Sequence, residues 1–319
     1  HDRIQLAEKQ VPADRDFELV WRPPADSAPQ GAWFVERGEE NQYGLLMLVP
    51  PQQDAEHAVL SREVVFVIDT SGSMHGESIE QARSALLLAL DRLTERDRFN
   101  IIRFSDSTDS LFAETQSADP ANLAIARQFV GSLHASGGTE MRPALQLALQ
   151  HDGQARGLRQ IVFLTDGSVG NERELFELIR DKLGHSRLFT VGIGSAPNSY
   201  FMRKAAEYGR GTFSYIGKTA EVMEKTAELF LKLERATLTD IRLELPPGLD
   251  LETLPQRIPD LYAGEPLLVA LRGPAMPDWI VVHGKLAEQP WSTRVTLEGG
   301  QQGTVLAPEW GRRKITQLM

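Results

Sequence analysis

Val64-Val65-Phe66-Val67-Ile68-Asp69-Thr70-Ser71-Gly72-Ser73 is the stretch that decides the fold, because polar ligand-type residues follow an unbroken apolar run. Five consecutive apolar residues favour a parallel β-strand that helices cover on both faces. Open α/β sheets bind ligands beyond the carboxyl ends of their strands, where a carboxylate and hydroxyls here follow. Such hard oxygen donors indicate Mg²⁺, which takes six oxygens in octahedral geometry. One turn supplies only part of that set, so other loops must complete it.

Two later segments have the right residue types at the right kind of junction. Gly137-Gly138-Thr139 precedes a predicted helix over residues 140–150, and Asp166-Gly167 follows the apolar strand Ile161-Val162-Phe163-Leu164. We expect the three loops to converge at one sheet edge. The predicted metal ligands are Asp69, Ser71, Ser73, Thr139 and Asp166.

These five residues resemble, in order, the metal-ion-dependent adhesion site of von Willebrand factor type A domains: a D-x-S-x-S turn, a distant Thr and a distant Asp. The resemblance implies Mg²⁺ as the cofactor, with Mn²⁺ or Ca²⁺ as alternatives. It also implies adhesion without catalysis, in which an acidic group of the ligand completes the coordination of the metal. The expected partner is a protein or glycoconjugate that presents a carboxylate.

Local turn chemistry is the alternative explanation for the same residues. Ser73 or Ser78 could cap a helix over residues 77–93, and Thr139 could cap the helix that follows it. Convergence of the three loops would distinguish the two explanations.

The order of predicted elements gives the fold class and the domains. Strands and helices alternate over residues 62–235, which predicts an α/β, doubly wound, mostly parallel sheet of the von Willebrand factor type A, Rossmann-like kind. Residues 1–61 and 236–307 contain short strands, including 17–21 and 45–49, without helices between them. We expect these flanks to form one β-sandwich that the α/β domain interrupts. Residues 308–319 are predicted to begin a helix that the sequence truncates.

A narrower resemblance concerns the two ends of the chain. Residues 14–21 and 310–319 resemble segments of inter-alpha-trypsin inhibitor heavy chains and of bacterial VIT and von Willebrand factor A surface proteins of the sortase-target type. That resemblance implies a location on the cell surface or outside the cell, in a bacterial envelope.

Composition limits the other functions. A net charge of −10 argues against binding nucleic acid, and the absence of cysteine excludes disulfides and thiolate metal sites. No apolar run reaches the ~18 residues of a membrane span. The sequence begins at His1 without a methionine, so we expect a piece of a longer protein. The basic cluster Arg312-Arg313-Lys314 is predicted to be a solvated helix face.

Three rival functions remain open. A Mg²⁺-dependent phosphatase of the haloacid dehalogenase type needs an acid two residues after its Asp, where this chain has Ser71. A serine hydrolase needs a base, for which His75 is the nearest histidine, and no G-x-S-x-G motif is present. An intracellular A-type domain could instead serve an ATPase or chelatase complex.

Glu77, Asp106 and Glu140 are predicted to form an acidic rim around the metal, where they would select ligands with basic residues beside the acid.

Overall fold

A computed structural model of the chain describes residues 28–50, 61–150, 157–167, 170–194, 197–234, 236–262, 266–286, 289–297 and 305–318. The strands are β1 (Gln30–Arg37), β2 (Gln42–Val49), β3 (Arg62–Asp69), β4 (Arg98–Phe104), β5 (Thr108–Ser110), β6 (Gln116–Ser117), β7 (Leu158–Thr165), β8 (Arg187–Ile193), β9 (Arg210–Ile216), β10 (Ala236–Glu244), β11 (Glu252–Leu254), β12 (Leu261–Tyr262), β13 (Leu267–Gly273), β14 (Trp279–Leu286) and β15 (Gln289–Thr296). The helices are α1 (Glu77–Asp91), α2 (Pro120–Ser132), α3 (Met141–Ala148), α4 (Glu172–Lys182), α5 (Ser199–Tyr208), α6 (Val222–Glu234) and α7 (Leu306–Leu318).

The largest sheet has the strand order β5-β4-β3-β7-β8-β9, with β6 also paired to β4. Strands β4, β3, β7, β8 and β9 run parallel, and β3 lies between β4 and β7. Helices α1, α2 and α6 pack on one face of the sheet and α3, α4 and α5 on the other. Because both faces are covered, β3 is apolar without alternation, as its sequence predicted. The α/β, doubly wound fold class is confirmed.

The flanks form two four-stranded antiparallel sheets that share one core. One sheet has the order β1-β2-β13-β11, so strands from before and after the α/β unit are hydrogen-bonded neighbours. The other has the order β12-β10-β14-β15. Trp33, Leu46, Val269 and Ile280 are among the buried residues of the common core. The predicted sandwich of N- and C-terminal segments is therefore present. The predicted strand over residues 17–21 lies outside the described residues.

Helix α7 packs against the sandwich through Trp310 and through part of its basic cluster. Trp310 is buried beside Tyr43, and the Arg272 guanidinium lies 4.8 Å from the centre of the Trp310 ring.

The prediction that the whole basic cluster is solvated was wrong for its last two members. Arg313 is only partly exposed and donates to the Leu268 carbonyl of β13 at 3.4 Å. Lys314 is only partly exposed and forms an ion pair with Glu252 of β11, because the helix lies along the sheet rather than projecting from it.

A buried ion pair and an aromatic contact join the sandwich to the α/β unit. Arg187, the first residue of β8, contacts Asp260, while Phe189 packs edge-on against Tyr262 at 5.9 Å between ring centres. Both contacts lie at the amino end of β8, whereas the predicted metal ligands follow carboxyl ends. Within the described residues, no helix has the length and apolar character needed to cross a membrane.

Candidate metal site

Asp69 is the last residue of β3 and lies at the centre of the large sheet, where its side chain is buried. Its Oδ1 accepts a 2.8 Å hydrogen bond from the Ser71 amide, and its Oδ2 accepts a 2.5 Å bond from the Thr165 hydroxyl. Burial raises the pKa of Asp69 above its ordinary value; the donors at Ser71 and Thr165 oppose that rise, and the charge of Asp166 adds to it. The two aspartates are thus electrostatic neighbours.

Ser71 and Ser73 lie in the turn that follows β3, with their hydroxyl oxygens 3.0 Å apart. Ser71 is buried and Ser73 is exposed, so the pair spans the boundary between the sheet edge and solvent. Neither serine caps α1. The residue before that helix is Gly76, and no side chain makes the cap hydrogen bond. The capping explanation for Ser73 and Ser78 was therefore wrong, because the chain makes a short 3₁₀ turn at Gly72–Met74 before the helix begins.

The loop that carries Thr139 is attached directly to the Asp69 turn. The Gly72 amide donates to the Gly137 carbonyl at 2.9 Å, and the Ser136 amide donates to the Thr70 carbonyl at 2.8 Å. Thr139 is half-buried and does not cap α3, whose preceding residue is Glu140 and which has no side-chain cap bond. Two of the three predicted loops are therefore held together by backbone hydrogen bonds.

Asp106 fixes the same loop from the side of β4. Its carboxylate accepts a hydrogen bond from the Gly138 amide. Gly137 has a φ of +81°, and a Cβ there would lie 2.3 Å from an Asp106 oxygen, so glycine is required on both counts. Asp106 is exposed, as expected for the predicted rim, but it also positions the Thr139 loop, which the sequence analysis missed.

Asp166 follows β7 directly and is half-buried, and its carbonyl accepts a 2.9 Å bond from the Asn198 amide. The preceding residue, Thr165, was also missed. Its hydroxyl donates to Asp69 and accepts from the Gly167 amide at 2.9 Å, so it ties the third loop to the first. The sequence signal that could have found Thr165 was its position as the last residue of a buried strand. A hydroxyl at that position faces the end of the neighbouring strand.

The loops meet at a switch point of the sheet. Strands β3 and β7 are adjacent, yet α1 and α4, which follow them, pack on opposite faces. Chain segments that diverge in this way leave a crevice between the strand ends, where ligands of open α/β folds bind.

The donor set suits a hard cation. Asp69, Asp166 and three hydroxyls offer only oxygen, and each Asp69 oxygen keeps a lone pair beyond the bond it already accepts. Among the described residues, no three His, Cys, Asp or Glu side chains are grouped so that they could hold a metal ion.

Comparisons with known proteins identify the α/β unit. Residues 62–215 match the family model for the von Willebrand factor type A domain. A von Willebrand factor A domain-containing protein of Dictyostelium discoideum is 30% identical over 208 residues, covering 65% of this chain and 25% of that protein. Inter-alpha-trypsin inhibitor heavy chain H4 of Homo sapiens is 31% identical over 247 residues, covering 72% of this chain and 26% of that protein.

A solved structure supports the fold over a longer stretch. The von Willebrand factor type A protein from Catenulispora acidiphila superposes with a TM-score of 0.64 at 20% identity, covering 88% of this chain and 76% of that one. The chain spans about a quarter of the length of the curated relatives it matches.

Proposed function

Because the chain belongs, through residues 62–215, to the von Willebrand factor type A domain family, we propose that it is a metal-dependent adhesion module that binds an acidic group of its ligand through Mg²⁺. Domains of this family commonly mediate protein binding. The observation that carries the proposal is the joining of the three loops by the Gly72–Gly137 backbone bond and the Asp69–Thr165 side-chain bond.

Asp69, Ser71, Ser73, Thr139 and Asp166 would hold the cation. Mg²⁺, Mn²⁺ or Ca²⁺ bound there would supply a positive charge that attracts a carboxylate. The residues of the chain have separate tasks. Asp69 provides charge from within the sheet, Thr165 and the Ser71 amide orient it, and Asp106 holds the loop that presents Thr139.

The use of three neutral hydroxyls has a consequence for the ligand. Two aspartates are the predicted charged ligands, so a dication receives little excess negative charge from the chain and favours a further anionic oxygen. We therefore propose a protein or glycoconjugate that presents a carboxylate as the partner. The exposed acids Glu77, Asp106 and Glu140 would favour basic residues beside that carboxylate.

We propose that the longer protein acts at the cell surface or outside the cell, in a bacterial envelope, and that the site performs no turnover. The resemblance of the chain to inter-alpha-trypsin inhibitor heavy chains supports a location outside the cell, whereas the bacterial envelope rests on the proposal alone. The absence of an acid at position 71, and of a base beside either serine among the described residues, supports binding over phosphatase or hydrolase chemistry. The intracellular alternative, a partner of an ATPase or chelatase complex, would use the same metal.

The decisive first experiment measures metal binding by the whole chain. Calorimetric titration with MgCl₂ and MnCl₂ should show one site, and the cation should stabilise the fold by about 2.7 kcal/mol at a hundredfold excess over its dissociation constant. Asp69→Asn should abolish the binding and Ser73→Ala should weaken it. Ser107→Ala is the matched control, because Ser107 is exposed near the same edge and its backbone carbonyl, which the substitution keeps, accepts from the Ser105 amide.

A melting temperature that is equal in Mg²⁺ and in EDTA would reject the metal site. The ligand is then sought with carboxylate-bearing peptide and glycan arrays, probed in Mg²⁺ and in EDTA. Binding that survives EDTA would reject the metal-bridged mechanism, and Mg²⁺-dependent hydrolysis of p-nitrophenyl phosphate would favour the phosphatase alternative.

A further inference from the structure

Four arginines line a cleft of about 620 Å³ between the α/β unit and the sandwich. They are Arg180 at the end of α4, Arg210 at the start of β9, Arg242 in β10 and Arg257 in the loop before β12. We call this place the arginine cleft. It lies at the amino end of β9, whereas the candidate metal site follows the carboxyl ends of β3 and β7.

The arginine cleft is positively charged, whereas the whole chain is negatively charged. Among the described lining residues, Asp181 carries the one carboxylate. Four cations therefore face one anion in the cleft, although the whole protein has a net charge of −10. A cluster of like charges is unfavourable unless an opposite charge reaches it. In an acidic protein, a cationic cleft therefore indicates a specific anionic ligand rather than general attraction.

The carboxylates beneath the cleft are already used by other cations. Asp260 accepts two hydrogen bonds from one edge of the Arg187 guanidinium, from Nε at 2.5 Å and from Nη2 at 2.9 Å. Asp240 accepts from Arg187 at 3.0 Å and lies 3.1 Å from Lys285, whereas Arg210 is 3.8 Å from it. Burial and the nearby charge of Arg187 lower the pKa of Arg210, while Asp260 and Asp240 oppose that shift.

Backbone strain is concentrated at the same place. Among the described residues, Arg210 and Asp240 are the non-glycine residues with positive φ, at +57° and +52°. Such conformations cost free energy and persist where the surrounding structure holds them in place, which is often the case at functional sites. The two strained residues contact each other across the wall of the cleft, so strain and unbalanced charge coincide.

An explanation from solvation alone covers only part of this arrangement. Arg180 is exposed in the last turn of α4, where a cation favourably meets the negative end of the helix. Arg257 donates one bond, at 2.8 Å, to the Arg180 carbonyl and is otherwise exposed. Arg242 is likewise exposed, on the facing strand β10. Solvation does not account for Arg210, which has a positive φ and a largely buried side chain whose guanidinium donates to the Gly184 carbonyl.

We propose that the arginine cleft binds a small ligand that carries two or more phosphate or sulfate groups. The guanidinium fork donates two parallel hydrogen bonds to such oxyanions, and several arginines in one cleft match several groups on one molecule. The volume is that of a site for a single small ligand. This site is separate from the metal site and does not depend on the proposed adhesion function.

The test is calorimetric titration of the whole chain with sodium pyrophosphate and, separately, with a sulfated disaccharide. Both titrations are done at constant ionic strength in EDTA, so that the metal site takes no part. The double variant Arg242→Gln and Arg257→Gln removes two exposed charges from the cleft. The control is Arg173→Gln with Arg312→Gln, which removes two charges from side chains that are 94% and 80% exposed elsewhere.

We expect at least one of the two probes to bind wild type and control equally, and the cleft variant about tenfold more weakly or worse. Preference for pyrophosphate or for the disaccharide then distinguishes a phosphate ligand from a sulfate ligand. No binding of either probe by wild type, or equal weakening in cleft variant and control, would overturn the proposal. Circular dichroism of all three proteins checks that the fold is retained.

Discussion

The hydroxyl of Thr165 donates a 2.5 Å hydrogen bond to Oδ2 of Asp69 across the two central strands of the sheet. The same hydroxyl accepts from the Gly167 amide, so one small side chain fixes both a predicted metal ligand and the loop that carries another. Residues that orient a metal ligand without touching the metal commonly matter for affinity nearly as much as the ligand itself.

Thr165→Val should therefore weaken Mg²⁺ binding by about tenfold or more, although Thr165 is not among the proposed ligands. It should also lower the free energy of unfolding by about 1 to 3 kcal/mol, because a buried carboxylate oxygen loses its donor. Calorimetric Mg²⁺ titration and urea unfolding measure the two effects. Thr165→Ser, which keeps the hydroxyl, is the control and should bind nearly as wild type does. A valine variant with unchanged Mg²⁺ affinity would show that the Thr165 hydroxyl is not needed to orient Asp69.

The buried pair of Arg62 and Asp97 should make stability depend on acid pH. Burial alone would raise the pKa of Asp97, but hydrogen bonds and charge from Arg62 hold it below its ordinary value of 3.8. Since the folded pKa is lowered, the ionised carboxylate stabilises the fold above the unfolded pKa and loses that effect as the pH falls through the folded pKa.

Asp97→Asn should accordingly cost about 3 kcal/mol at neutral pH, because it leaves the Arg62 charge buried without its anion. The difference from wild type should stay constant between about pH 7 and pH 5 and shrink only below the ordinary carboxyl pKa. Urea unfolding at a series of pH values measures it. A difference that already disappears near pH 6 would assign the effect to another group.

The sequence was sufficient to predict the parts of the fold that depend on local patterns. The apolar run of β3 predicts a strand covered on both faces, and the structure has that strand at the centre of the sheet. The metal site after it remains a prediction. The joining of the flanks into one sandwich also followed, because the short strands on both sides of the α/β unit needed partners.

What the sequence could not predict depends on partners distant in the chain. Arg187 reads as an ordinary charged residue before a strand, and only the folded chain places Asp260 against it, 73 residues later. Strand β1 was missed for a similar reason. Its Trp33 is buried because Gly44 of β2 leaves space for the indole ring, a relation that no local periodicity displays.

Gly44→Ala should destabilise the sandwich. A Cβ at residue 44 would lie 2.0 Å from a Trp33 ring atom, and Trp33 is held in place by a 2.9 Å bond from its indole N–H to the Pro277 carbonyl. The expected loss is about 2 to 3 kcal/mol in urea unfolding, with a shift of the Trp33 indole N–H resonance.

Gly131→Ala is the matched control for that substitution. Gly131 is near the end of α2, and a Cβ there meets no atom within 4 Å in the described structure. The variant should be more stable than wild type by about 0.5 to 1 kcal/mol, because alanine favours the helix. Equal effects of the two substitutions would mean that Trp33 is not packed on Gly44.

The contact between Arg187 and Asp260 should be the most sensitive point at the junction of the two units. Burial alone would lower the pKa of Arg187, but the hydrogen bonds and charge of Asp260 raise it above its ordinary value. Arg187→Met leaves Asp260 buried without its cation and should cost about 3 to 5 kcal/mol in urea unfolding. Arg92→Met, which breaks the half-exposed pair with Glu234, should cost no more than about 1 kcal/mol.

The double variant Arg187→Met and Asp260→Asn should lose less stability than Arg187→Met alone, because the second change removes the unpaired charge. Strictly additive losses would show that the two side chains do not interact energetically, despite the distance of 2.5 Å between Nε and Oδ2.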